Sequence, residues 1–164
     1  LNKPIIAVSA CLLGQAVRYD GKDKYTSLIA EELAKYCQLI PVCPELEIGL
    51  GVPRDKIQLT QIGSTVRALK TTNLNNDVTD LLLNFANQFI EKNRLSGLVL
   101  QDKSPSCGID NVKLYSEAGQ QIGLSSGVFA STILKLAPSL PVVQASQLQN
   151  KADVDEFVSR CIKL

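Results

Sequence analysis

Five cysteines and no histidine stand among the 164 residues, and that imbalance decides which chemistries remain open. Without histidine there is no Ser-His-Asp triad, no Cys-His dyad, no His-ligated zinc and no His-x-Glu deaminase centre. Acid–base work falls to Glu, Asp, Lys, Tyr, Ser or water. The cysteines divide by position. Cys37 follows Ile29 by eight residues and Cys161 follows Val154 by seven, which puts both on or near the apolar stripes of expected helices, as small buried hydrophobes. Cys11, Cys43 and Cys107 each fall where an apolar, strand-like run gives way to a loop holding Gly or Pro. In open α/β sheets, sites form beyond the carboxyl ends of the strands, so three cysteines distant in sequence would meet at one edge. The alternative is three inert core thiols.

Soft sulfur ligands select zinc, Cu(I) or iron–sulfur clusters. A structural zinc site wants four protein ligands and closely spaced cysteine pairs, and neither is available. A cubane cluster accepts distant ligands, and three cysteines leave one iron open as a Lewis acid for substrate. The odd count argues against a disulfide framework, and with no recognisable secretory signal the expected compartment is the cytoplasm. A thiolate phosphatase needs Cys-x5-Arg, but six residues separate Cys11 from Arg18.

The elements that must position these residues follow from periodicity. Residues 5–10, 39–43, 98–100 and 142–143 read as short buried strands. Between them lie expected helices: one capped by Thr26 or Ser27 with Ile29, Leu33 and Tyr36 on its stripe, and one capped by Asp77 with Val78, Leu81, Leu82, Phe85 and Phe89. A third spans 126–137, and a last one is capped by Asp153 with Glu156 three positions on. Residues 57–70 read as a hairpin or ragged strand pair around Gly63. Strand and helix alternate about four times with no linker or repeat. The expected fold is α/β, a single three-layer domain over 1–164 with a mainly parallel sheet. Gly49-x-Gly51 lacks the third glycine of a dinucleotide fingerprint.

Composition closes other routes. Hydrophobic residues at 45% and charged residues at 20% exclude a disordered chain. No apolar run approaches the roughly 20 residues of a membrane span. A formal net charge of +1 gives no global field for long nucleic acid or an acidic membrane.

Several motifs, taken together, carry a resemblance: Ser9-Ala10-Cys11-Leu12-Leu13-Gly14, Arg18-Tyr19-Asp20-Gly21, Val42-Cys43-Pro44-Glu45, Pro53-Arg54, Asp77-Val78-Thr79 and Lys103-Ser104-Pro105-Ser106-Cys107-Gly108. In this order, over roughly residues 5–143, the chain resembles the small bacterial family of thiouracil desulfidases. The resemblance implies a [4Fe-4S] cluster held by Cys11, Cys43 and Cys107, with one iron not ligated by protein. It implies removal of sulfur from a thiolated pyrimidine base without redox change, giving the oxo base and hydrogen sulfide. Glu45 and Ser104 match the family's glutamate and first serine. Glu45 is then the candidate general base, its pKa expected to rise by burial, with a plain salt bridge to Arg54 as the alternative. Ser104 is a candidate hydrogen-bond donor, or else a loop-capping serine. Lys103 and Ser106 are expected as polar contacts to substrate. Two departures bear on which substrate is used: Ile48-Gly49-Leu50 stands where the family usually shows Gly-Gly-Leu, and the acidic residue beyond Pro-Arg is replaced around Asp55-Lys56. A noncatalytic cluster-binding sensor or store, and a desulfidase acting on thiolated nucleotides or tRNA, are the other readings.

Overall fold

The computed structural model describes residues 2–163. Its centre is a four-stranded parallel sheet in the order β2-β1-β6-β9, formed by β1 (Ile5–Ser9), β2 (Gln38–Val42), β6 (Gly97–Leu100) and β9 (Val142–Gln144). Ile6, Ala7 and Val8 are fully buried, as are Leu98, Val99 and Leu100. A strand covered on both faces has no reason to alternate, which is why these runs are continuously apolar. Ile6 and Val8 face a layer built from a π-helical turn at Leu28–Leu33 and from α5 (Lys151–Ile162), with Ile29, Leu33, Val154 and Phe157 at its centre. Ala7, Leu98 and Leu100 face the opposite layer of α3 (Thr79–Lys92) and α4 (Val128–Leu136). There Phe85, Phe89 and Phe129 pack with ring centroids 5.5–5.7 Å apart, in the range where aromatic pairs add to simple burial. The α/β, three-layer reading with a mainly parallel sheet thus describes this body of the molecule.

A second sheet of five strands, order β5-β4-β3-β7-β8, was only half visible beforehand. The expected hairpin is β3 (Ile57–Ile62) with β4 (Thr65–Lys70), and Ile62 pairs with Thr65. Gly63, at φ +60°, supplies the left-handed first position that so tight a turn requires. Three strands had no counterpart in the sequence reading: β5 (Asn73–Asp77), β7 (Val112–Tyr115) and β8 (Gln121–Ser125). Ile57, Leu59 and Val112 of this sheet pack on Val78 and Leu82 at the start of α3 and on Val128 at the start of α4.

Helix starts needed correction. Neither Thr26 nor Ser27 caps with its side chain; the Thr26 carbonyl takes the N–H groups of Ile29 and Ala30. The segment runs as a π-helical turn into the short α1 (Ala34–Tyr36), which leaves Tyr36 exposed instead of on the buried stripe. Asn150, not Asp153, caps α5: its side chain accepts the Asp153 N–H at 3.0 Å. Asp77 does accept from the first helical N–H, that of Thr79, at 2.9 Å. Leu81 leaves the α3 stripe and is exposed.

Candidate functional site

Three chain reversals at the carboxyl edge of the parallel sheet carry the chemistry-bearing residues. β1 ends at Ser9 and tightens into a 3₁₀ turn over Ala10–Leu13, which holds Cys11 and closes on Gly14 at φ +89°. β2 ends at Val42; Cys43 then starts the four-residue α2 (Pro44–Glu47), where proline at the first helical position suits a chain that must turn at once. Beyond β6, residues 101–111 form a tight loop holding Ser104, Ser106 and Cys107. Cys11, Cys43 and Cys107 all line one cavity of about 750 Å³, together with Glu45, Ser104 and Lys103. Cys37 precedes β2, and the Cys161 sulfur packs against Gly97, the first residue of β6. Those two cysteines therefore sit at the amino edge, the opposite end of the same strands.

All five cysteines are free. Burial drives the Cys11 thiol up to about 11, aided by the nearby Cys43 and opposed by Arg18. Burial raises Cys107 further; Glu45, Cys43 and Cys11 add to the effect and the Ser9 hydroxyl opposes it. Cys43 is also raised by burial, against the pull of the Leu46 and Glu45 backbone N–H groups and of Arg54. Burial thus disfavours all three thiolates, and a cationic group bound among them would favour them. Among the described residues, no trio of His, Cys, Asp or Glu side chains stands close enough to hold a single metal ion. Three soft sulfur donors on one cavity wall, with no histidine in the chain, suit an iron–sulfur cluster.

Glu45 is buried and its two oxygens have separate partners. Oε1 accepts from Arg54 Nε at 3.0 Å, and Oε2 accepts from Ser106 Oγ at 3.0 Å. The salt bridge weighed in the sequence reading therefore exists, and it replaces isolated burial as the environment of this carboxylate. Ser104 Oγ accepts the N–H groups of Ser106 and Cys107, at 3.2 and 3.1 Å, which is the loop-capping arrangement. A hydroxyl that accepts twice keeps its proton to give, and Ser104 lines the cavity. Ser106 differs from expectation. It is fully buried, lies outside the cavity wall, and spends its hydroxyl on Glu45 instead of on a substrate. Lys103 is an exposed wall residue with its backbone at φ +60°, strained for a residue with a Cβ.

The sequence reading missed the groups that hold this loop. Ser9 Oγ accepts the Gln101 N–H at 2.9 Å and so joins the ends of β1 and β6. Asn111 accepts from Lys103 N at 3.0 Å and donates to Gln144 Oε1 at 3.0 Å, and Gln144 grips both backbone groups of Ile109. Asp102 accepts from the backbone and hydroxyl of Ser146. None of these residues has a distinctive spacing. Gly127 is a further hidden requirement. A Cβ there would stand 2.4 Å from the Ser106 carbonyl carbon and 2.8 Å from the Cys107 nitrogen. Backbone atoms cannot rotate aside, so Gly127→Ala is expected to cost about 1–3 kcal/mol, the usual cost of overpacking. It should also lower iron loading by displacing Cys107. Thermal unfolding of the apoprotein and iron content after reconstitution check the two effects separately.

The charged residues of the cavity wall are predominantly basic. Arg18, Lys24, Lys56, Lys103 and Lys113 join Arg54, against Glu45 and Asp102, and Tyr19 and Tyr115 add aromatic surface. Arg18 and Lys56 both lie over the Tyr19 ring, at 5.9 and 4.9 Å from its centroid. Comparison with known proteins agrees with this architecture. The comparison with curated proteins returns no match. A solved structure described as a [4Fe-4S]-dependent thiouracil desulfidase, TudS, is 27% identical. The alignment covers 96% of this chain and 99% of that one, with a TM-score of 0.74. A family profile described as 2-thiouracil desulfurase matches residues 6–145. With the family profile matching residues 6–145, most of the 164 residues, the chain belongs to the 2-thiouracil desulfurase family.

Proposed function

We propose that this chain is an iron–sulfur-dependent desulfidase that converts a thiolated pyrimidine such as thiouracil, with water, to the oxo base and hydrogen sulfide. The single observation that carries the reading is the convergence of Cys11, Cys43 and Cys107 with a buried carboxylate on one cavity. Those three cysteines would hold a [4Fe-4S] cluster and leave one iron without a protein ligand. Once bound, the cluster supplies a soft Lewis acid for the thione sulfur, which withdraws electrons from the C=S carbon.

The protein's own residues supply the rest. Glu45, held on one oxygen by Arg54 and on the other by Ser106, keeps unused lone pairs to take a proton from the attacking water. The Ser104 hydroxyl, fixed by two backbone N–H groups, donates a hydrogen bond to the ring nitrogen or to the oxygen on which charge builds. The loops around Ser9, Asn111 and Gln144 keep both groups in register with the cysteines.

A thiolated nucleotide is the second substrate reading, and the basic wall favours it, because a phosphate needs cationic partners that a neutral base does not. A formal net charge of +1 gives no comparable support for long RNA. A noncatalytic sensor with four protein ligands would require Cys37 or Cys161 at the cluster, and both lie at the far edge of the sheet. The test is anaerobic reconstitution with iron and sulfide analysis and an electronic spectrum. Hydrogen sulfide release is then measured from 2- and 4-thiouracil and their nucleotides. Protein with a full cluster that releases no sulfide from any of them would favour the sensor.

A further inference from the structure

Arg54 has more partners than the reaction above uses. Its side chain is only 6% exposed. Nε donates to Glu45 Oε1 at 3.0 Å, Nη1 donates to the Gly51 carbonyl at 3.0 Å, and Nη2 faces the Cys43 sulfur at 4.0 Å. Its backbone N–H is tied to the Tyr19 carbonyl at 3.0 Å. One rigid plane of donors therefore spans the carboxylate, a loop carbonyl and a cysteine sulfur. A lysine, a point charge on a flexible stem, cannot meet three acceptors from one plane.

We propose that Arg54 is a positioning residue that couples the Glu45 carboxylate to the Cys43 edge of the cluster. The inference rests on the reading of Glu45 as base and Cys43 as ligand, and it gives Arg54 two separable effects. Through Nε it fixes the direction in which Glu45 presents its lone pairs to water. Through Nη2 it sets a positive charge and an N–H beside a sulfur of the ligand set, and both stabilise the more negative, reduced state of an iron–sulfur cluster. Gly51, which takes the third N–H, keeps the guanidinium from turning toward either partner alone.

The test compares reconstituted wild type with Arg54→Gln, Arg54→Lys, Glu45→Gln and the Glu45→Gln/Arg54→Gln pair. Arg54→Gln should lower the cluster's midpoint potential, read by spectroelectrochemical titration, and Arg54→Lys should lower it less. Sulfide release from 2-thiouracil should lose about tenfold or more in kcat, the scale of a displaced catalytic group, with KM nearly unchanged. In the Glu45→Gln background, Arg54→Gln should cost less than about twofold further in rate, because both act through one carboxylate. The drop in potential should persist there.

An Arg54 that serves only packing would lower the unfolding temperature and iron content and leave the remaining cluster at the wild-type potential. That result, or a full multiplicative loss in the double variant, overturns the proposal. Where Arg54→Gln keeps no cluster, Arg54→Lys carries the same measurements. Wild type with a full cluster and no sulfide release would remove the desulfidase reading, and the potentials would still decide the Cys43 contact.

Discussion

Replacing Cys11, Cys43 or Cys107 by serine is expected to abolish cluster assembly, while Cys37→Ser and Cys161→Ser assemble it in full. The distinction is positional. Three of the cysteines line one cavity at the carboxyl edge of the parallel sheet, and the other two are buried in the hydrophobic layer at the amino edge. A serine hydroxyl is a hard, weakly acidic donor that does not replace a thiolate on iron. At Cys37 or Cys161 the same change only buries a hydroxyl among Ile29, Leu33 and Phe157. It should cost about 1–3 kcal/mol of stability, the scale of an unpaired buried polar group. Iron and acid-labile sulfide per chain after anaerobic reconstitution separate the classes, and thermal unfolding records the packing cost. Equal cluster loss in Cys37→Ser would mean that the ligand set is misassigned.

How far the sequence revealed this depends on which physical signal each residue obeys. Ile6 to Val8 and Leu98 to Leu100 are buried on both sheet faces, so their composition alone declared them strands. From those strands the carboxyl-edge cysteines followed by topology. The residues of β5 carry the opposite signal: Asn-Leu-Asn-Asn-Asp is polar, wholly exposed, and a strand only because β4 beside it offers a partner edge. β8 is likewise an edge strand that leaves Ile122 and Leu124 in solvent, so it shows no buried face. The cap of α5 was mislocated because Asp153 and Glu156 mimic a capping box. Asn150, three residues before Asp153, was the available clue. The Glu45–Arg54 salt bridge was among the expectations from sequence and is present, but the bond from Ser106 to Glu45, across 61 residues of chain, was not. Side-chain partnerships of that kind leave no period behind.

Glu45→Gln is expected to keep a full cluster and bind thiouracil normally, yet lose about 10²-fold or more in turnover, the scale of lost general-base catalysis. The amide is nearly isosteric, and the site can absorb it. Its carbonyl oxygen still accepts from Arg54 Nε, and its NH₂ can face Ser106, whose hydroxyl rotates to accept. What disappears is the capacity to take a proton from water. Glu45→Ala is a poorer probe because it leaves a nearly buried guanidinium without its counter-charge, which mixes stability with chemistry. Ser104→Ala should cost less than Glu45→Gln, since it removes one neutral hydrogen bond. Its loop keeps Cys107 through the Gly108 N–H, which donates to the Ser104 carbonyl at 2.8 Å whatever the side chain. Hydrogen sulfide release at matched iron content is the measurement for both. A Glu45→Gln protein that keeps its cluster and its rate would leave desulfuration standing and remove this carboxylate from the proton path. Water would then have to lose its proton to another wall residue, and among the described residues only Asp102 remains of the carboxylates lining the cavity. Asp102 accepts from the backbone and hydroxyl of Ser146 and from Asn111 Nδ2 at 3.5 Å, and it is the carboxylate that an unchanged rate in Glu45→Gln would single out.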